Sequence, residues 1–336
     1  MTINSDAGAG QPLANAPSPQ VTPTYDGSGE AVHPDVVYFP GGWRGWEYWL
    51  VVTPYPGDDT GNENPSILVS HDGASWQEPP GITNPIALPD TSFLADGDLL
   101  YNRASDQLWV YYVHQRINGT THAMRKTSSD GVDWGPQSSE PGQSLFTVPD
   151  HELLSPAILK VGPTYWMWSV NSGSVGCHAT ATTIQYRTSA NGTDWSAPED
   201  TDGTQAGQVP WHLDVIHVPS KNEFWMLLSA FPQGLSCHNT ALFFAKSVDG
   251  IHWTTYTRSV LSCDRPALPP GSASEKPSTA GRGWDRGQIY RATLLYDAGN
   301  DLLRVWYSAN DGSVWHVGYT ERNYSEFQRL LLAPMG

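Results

Sequence analysis

The residues best suited to chemistry fall on five short segments that read alike. HPDVVYF starts at His33, DGDLLYN at Asp96, SPAILKV at Ser155, HLDVIHV at His212 and RATLLYD at Arg291. In an extended strand, residues two apart share a side. One column therefore holds His33, Asp96, Ser155, His212 and Arg291, and the next holds Asp35, Asp98, Ala157, Asp214 and Thr293. The column after that is apolar: Val37, Leu100, Leu159, Ile216 and Leu295. Charge confined to one end of apolar strands is hard to explain as packing, because buried charge is costly unless paired or used. Carboxyls so placed can give and take protons, and each raises its neighbours' pKa. The His-x-Asp pairs at His33 and His212 also offer hard-to-borderline metal donors. The bland alternative is a structural network in which the two histidines are satisfied by nearby Asp.

These segments need a frame that brings them to one axis, and a repeat supplies it. SHDGASW ends at Trp76, SSDGVDW at Trp134, SANGTDW at Trp195 and SVDGIHW at Trp253, with steps of 58, 61 and 58 residues. TERNYSEF (Thr320 to Phe327) is a weaker fifth copy. Asp or Asn followed by Gly is a hairpin-turn signal, because the turn needs positive φ. A fixed period of β units means a propeller. The expected fold is all-β: a five-bladed β-propeller with four antiparallel strands per blade. The second strands, such as EYWLVVT and QLWVYYV, assign Trp49, Trp109, Trp166, Trp225 and Trp306 to packing. Residues Phe327 to Leu332 are expected to close blade five as its fourth strand. The stretch Asp264 to Trp284, rich in Pro, Ser and Gly, reads as a rim loop.

Connections between second and third strands open on the mouth where the polar columns begin, which makes Tyr55, Glu63 and His114 rim candidates. Asp150, His151 and Glu152 precede the first strand of blade three and belong above the same mouth. Cys177 and Cys237 hold matching places in consecutive repeats, and Cys263 follows the fourth strand of blade four, so all three reach one rim. Cys237 is expected to bond Cys177 or Cys263. The two Cys-His pairs could instead offer zinc donors, a less favoured alternative.

The chain has 336 residues, with 18 Lys and Arg against 34 Asp and Glu, a formal charge of −16. No basic stripe exists to neutralise phosphates, which argues against a nucleic-acid partner. No apolar run is long enough to span a membrane. Residues 1–24 read as a flexible leader and 25–336 as a single catalytic propeller domain. The leader has neither the basic start nor the apolar core of a signal peptide, so secretion is expected from the style of the domain alone. A monomer is expected.

Over about residues 30–336 the chain resembles the five-bladed β-propeller glycoside hydrolases, family 43 and its relatives acting on furanosides and mannosides. The Ser-x-Asp-Gly-x-x-Trp turns and the first-strand columns carry the resemblance. It implies a base Asp on blade one, a pKa-tuning Asp on blade two and an acid Glu on blade three. Asp96 matches the blade-two position. The same register falls on His33 in blade one, with Asp35 two residues on, and on Leu154 in blade three, with Glu152 nearby. The expectation is a secreted glycosidase acting on a polysaccharide or oligosaccharide. Asp35 would be the base, Glu152 or Asp214 the acid, and Asp98 and Asp96 would tune pKa. His33, Asp96, His212, Arg291, Tyr290, Tyr55, Glu63 and Ser155 would bind substrate. No cofactor is required, although a structural or central cation is compatible. The alternatives are a polysaccharide lyase with a His or Tyr base and Arg291 on a uronate, or a carbohydrate-binding propeller without catalysis.

Overall fold

The computed structural model describes residues 11–89, 92–137, 142–263 and 283–333. Among these residues, eighteen strands form five antiparallel sheets. Blade one holds β1 (Ala31–Trp43), β2 (Trp46–Pro54) and β3 (Ser66–Ser70). Blade two holds β4 (Phe93–Asn102), β5 (Gln107–Arg116), β6 (Thr120–Ser128) and β7 (Gln143–Pro149). Blade three holds β8 (Leu154–Val161), β9 (Thr164–Asn171), β10 (Thr183–Ser189) and β11 (Glu199–Asp200). Blade four holds β12 (Gln208–Val218), β13 (Glu223–Pro232), β14 (Ala241–Ser247) and β15 (Trp253–Thr255). Blade five holds β16 (Gln288–Asp297), β17 (Leu302–Asn310) and β18 (Trp315–Asn323). The first strands β1, β4, β8, β12 and β16 pack side by side and close a ring around one axis.

The repeated turn locks neighbouring blades. In blade two, Ser128 Oγ donates to Asp130 Oδ1, Gly131 N donates to Ser128 Oγ, and Val132 N and Asp133 N donate to Asp130 Oδ1. The turn then docks on the preceding blade, where Gly131, at φ +78°, faces the Trp49 ring so closely that a Cβ would sit 2.1 Å from it. Glycine is required there by both backbone and space. The same docking recurs: Trp306 Nε1 donates to Gly73 O, Tyr111 Oη to Gly192 O and Trp168 Nε1 to Gly250 O. Trp49, Trp109, Trp225 and Trp306 are buried in packing roles. In blade three the docked ring is Trp168, with Trp166 stacked on it at 5.6 Å.

Two expectations are corrected. The chain after β18 does not form a fourth strand: Tyr324–Leu331 is a helix, α1, capped by Asn323, whose side chain accepts from Glu326 N. Its Tyr324 stacks on Trp225 at 4.1 Å, so the helix does for blade four what the turns do for the others. Residues 11–24 are not a loose leader. Leu13 N donates to Val260 O, Ala16 N to the Tyr307 hydroxyl and Gln20 N to Val317 O, while Trp76 Nε1 donates to Gln20 Oε1. This strap runs across blades four, five and one with Leu13 buried. The expected disulfide of Cys237 forms with Cys177, which leaves neither sulfur for the alternative Cys-His zinc site. Cys263 lies outside that bridge, buried between blades four and five. Residues 1–10 and most of the expected Asp264–Trp284 loop lie outside the described residues.

Candidate functional site

All five first strands break register at the same level. Bulges separate Val32 from Asp35, Ala95 from Asp98, Leu154 from Ala157, Pro210 from His212 and Ile289 from Ala292. A bulge re-aims side chains and gathers next to functional sites. Within three of them a non-glycine residue is left-handed: His33 (φ 54°), Asp96 (φ 56°) and Ser155 (φ 50°). Such strain persists only where the surroundings enforce it and clusters at functional sites. Gly97 follows Asp96, and a Cβ there would lie 2.8 Å from Val51.

The bulges assemble an upper ring in which His33, Asp96, His212 and Arg291 converge, each no more than 2% exposed. Asp96 Oδ1 lies 3.4 Å from His33 Nε2, 3.3 Å from His212 Nδ1 and 3.7 Å from Arg291 Nη1. Those atoms, and the other guanidinium nitrogens, find no hydrogen-bond acceptor or donor among the described residues. His33 Nδ1 meets Thr53 Oγ1 at 3.0 Å and Glu63 Oε1 at 3.6 Å. Tyr290, a bulge residue of β16, sets its ring 4.4 Å from His212 and 5.3 Å from His33. Beyond it stand Trp315 and Tyr55.

Burial drives the protonation states apart. It pulls His33 down to about 3 and also lowers His212, against the raising effect of Asp96. Burial alone would raise Asp96, but His33, His212 and Arg291 together hold it well below the usual carboxylate range. Glu63 is pushed well above its ordinary value by burial and then by the Asp96 charge. The Tyr290 phenol is raised by burial and by nearby Tyr55, Glu63 and Asp96, so it stays neutral. The ring thus offers two neutral imidazoles, one carboxylate, one protonatable acid and one phenol donor. One atom each from His33, Asp96 and His212 fit a single ion. The two separations from Asp96 Oδ1, 3.4 and 3.3 Å, match the edge of a tetrahedron with bonds of about 2.1 Å, the Zn–N and Zn–O range.

A lower ring lies two residues further along the same strands. Asp35, Asp98, Asp214 and Thr293 are buried there. They face a cavity of about 670 Å³ that runs to the hairpins at Arg103, Ser220 and Ala298, on the face opposite Glu63 and Tyr290. Each Asp clasps the next blade. Leu99 N donates to Asp35 Oδ2, Ile158 N to both oxygens of Asp98, and Leu294 N to Asp214 Oδ2. Thr293 Oγ1 closes the circle on Asp35 Oδ1. Burial raises Asp35, Asp98 and Asp214, the last to about 7.

Of the residues expected at the site, the structure therefore joins His33, Asp96, His212, Arg291, Glu63 and Tyr290, with Tyr55 at the margin. Asp35, Asp98 and Asp214, expected as catalytic carboxyls, face the other cavity. Ser155 is a blade clasp: its N donates to Asp96 Oδ2 and its Oγ to Leu213 O. Glu152, expected as an acid, is half-buried and acts on Arg187 rather than on the ring. His114 bonds Ser92. Two residues at the site were not singled out from sequence: Thr53, behind His33, and Trp211, edge-on to His212 at 5.5 Å. The bulge position next to a first-column residue is the signal that would have found Trp211.

Five bladed sheets around a polar channel give the fold of the propeller glycoside hydrolases. The GH62 α-L-arabinofuranosidase catalytic domain of Coprinopsis cinerea superposes with a TM-score of 0.55 at 14% identity, over 91% of this chain and 96% of that one. That likeness is one of fold alone. A stronger likeness is to an N-acetylgalactosamine deacetylase from F. plautii, solved in complex with blood group B trisaccharide. Its TM-score is 0.82 at 29% identity, over 96% of this chain and 98% of that one. In sequence, the chain is 30% identical over 395 residues to the A type blood N-acetyl-alpha-D-galactosamine deacetylase of Flavonifractor plautii, covering 96% of this chain and 49% of that protein. The chain thus spans about half the length of the curated relative it matches. No protein-family model matches it.

Proposed function

We propose that the upper ring hydrolyses the acetamido group of an N-acetylated sugar, with a terminal N-acetylgalactosamine as the first substrate to try. The observation that carries this reading is the convergence of His33, Asp96 and His212 on one point, with polar atoms left unbonded, beside a protonatable Glu63. The likeness to a deacetylase supports the choice of bond. Glycoside hydrolysis is the weaker reading, because the three Asp suited to it face the far cavity.

In the proposed reaction, water adds to the acetamide carbonyl and the C–N bond breaks, giving acetate and an amine. His33, Asp96 and His212 are the residues that would hold a divalent cation. Such an ion would polarise the carbonyl and ease deprotonation of water. Glu63, once ionised, takes a proton from the attacking water and passes it to the departing nitrogen. Tyr290 donates a hydrogen bond to the carbonyl oxygen as negative charge develops there. Thr53 fixes the His33 ring through Nδ1, which leaves Nε2 facing Asp96. The Cys177–Cys237 disulfide supports an oxidising, extracytoplasmic setting.

The test is to incubate the chain with a trisaccharide ending in N-acetylgalactosamine and to measure acetate and reducing ends together. Acetate without new reducing ends is expected. Reducing ends without acetate would overturn the proposal in favour of a glycosidase.

A further inference from the structure

We infer that Gln288 and Thr240 are positioning residues for the Tyr290 phenol, and that the Cys177–Cys237 disulfide anchors the turn through which they act. The inference rests on the upper-ring reading above, in which Tyr290 meets the carbonyl oxygen.

The ladder of β16 does not aim Tyr290. The residue falls in the break between Ile289 and Ala292, where pairing with β17 lapses, and a bulged residue has no ladder partner to fix it. The two residues before it pair with β17 on one side and are held on the other by blade four. Gln288 Nε2 donates to Cys237 O at 2.8 Å, and the Thr240 hydroxyl donates to Ile289 O. Gln288, Ile289, Cys237 and Thr240 are each no more than 5% exposed. Water is kept from these bonds, which strengthens them.

Both blade-four groups belong to one short turn. Cys237–Asn239 is a single 3-10 turn with Thr240 at its end, and inside it Asn239 N donates to Ser236 O. A turn with so little internal bonding does not hold its own shape. The disulfide supplies the anchor by tying Cys237 to Cys177, in the blade-three turn Gly173–His178. The path is continuous from blade three through the sulfurs, the Cys237 carbonyl and Gln288 to the phenol, whose ring lies 4.4 Å from His212.

The proposed cation ligands do not share this path. His212 is flanked by Pro210, whose carbonyl accepts from Thr182 Oγ1, and by Leu213, whose N–H and C=O both bond Ser155 Oγ. His33 is fixed by Thr53. Loosening the turn should therefore move Tyr290 and spare the ligands. The effect falls on the charge that develops during reaction, not on substrate binding.

The experiment compares the full chain before and after dithiothreitol, in wild type, Gln288→Met and Tyr290→Phe, well below the melting temperature. Cys177 is half-buried, within reach of a small dithiol. The dithiol supplies two electrons and two protons: the S–S bond breaks, Cys177 and Cys237 become thiols, and the dithiol closes to its own cyclic disulfide. Tyrosine labelled with ¹³C at Cζ gives a readout apart from activity, the Tyr290 signal being the one absent in Tyr290→Phe. That signal should move on reduction and in oxidised Gln288→Met. With a trisaccharide ending in N-acetylgalactosamine, both changes should lower kcat for acetate release about 10-fold, with KM within about twofold. Reduction should not slow Tyr290→Phe further, because the two changes act through one group. The inference is overturned if the Tyr290 signal stays in place, if reduction slows Tyr290→Phe as much as wild type, or if the melting temperature falls while kcat holds, the mark of a merely structural bridge. Should the reduced chain unfold, oxidised Gln288→Met, alone and combined with Tyr290→Phe, replaces reduction throughout. If oxidised wild type releases no acetate, the deacetylation proposal fails and the Tyr290 signal still decides this one.

Discussion

The upper and lower rings sit on the same five strands, two residues apart, and use the same kinds of side chain differently. In the lower ring every carboxylate is held by a backbone N–H of the next blade, so its first task is to join blades. In the upper ring Asp96 Oδ2 does that work through Ser155 N, while Oδ1 faces His33, His212 and Arg291 without a hydrogen bond. Burying polar atoms without partners costs stability, and strained backbone at His33 and Asp96 adds to it. A chain that carries both costs at one level of its channel, and neither two residues below, separates reactivity from architecture along a single strand.

Substitutions can break that separation. The largest expected effect is His212→Ala, which should reduce acetate release on the order of a thousandfold with little change in melting temperature; an intact rate would move the chemistry elsewhere. Glu63→Gln should reduce release about a hundredfold or more while leaving the fold as stable as wild type or more so, because a buried carboxyl becomes neutral. Asp35→Ala should do the opposite. It strands Leu99 N and the Thr293 hydroxyl and should destabilise by about 2 kcal/mol in urea unfolding, whereas Asp35→Asn should retain activity within a few-fold. If Asp35→Asn is inactive with an unchanged melting temperature, the two rings have been assigned the wrong way round. The gentlest probe is pH. Asp214 is raised to about 7 in the folded chain; with chelator present, stability should fall as pH rises from about 4, the unfolded value, to about 7, and not rise. Asp214→Asn should flatten that slope.

Much of this was legible in the sequence, for reasons that also mark where legibility stops. The turn motifs announce blades because Gly131 and its counterparts must fit beneath an aromatic ring, a constraint visible as spacing. The polar columns were legible because strands have period two. Their depth was not: the alternation HPD or DGD looks continuous, and only the bulges at Pro34, Gly97 and Pro156 turn one column to the rim and leave the next at the far cavity. Asp35, expected as the base, therefore lines the far cavity and not the upper ring. Glu63 was found as a rim acid because its loop is anchored to a strand end, but nothing local shows it reaching His33. Glu152 was chosen for nearness in sequence, and its charge acts on Arg187. The helix at Tyr324 hides in TERNYSEF because its partner, Trp225, lies about a hundred residues earlier.

The strap of residues 11–24 bears on how the molecule is made. It precedes every blade in the chain, yet its partners Val260, Tyr307 and Val317 lie in blades four and five. Only its Gln20 end meets blade one, through Trp76 and Gly73, and contacts with the distant blades four and five form slowly. The ring must therefore be nearly complete before the strap can seat, and until then the seam between blade five and blade one stays unsealed on its outer side. A growing chain would pass through an open, crescent-shaped intermediate whose two exposed blade faces are sticky, and the strap would act as a latch, fastened across blades four and five only once blade five has been made.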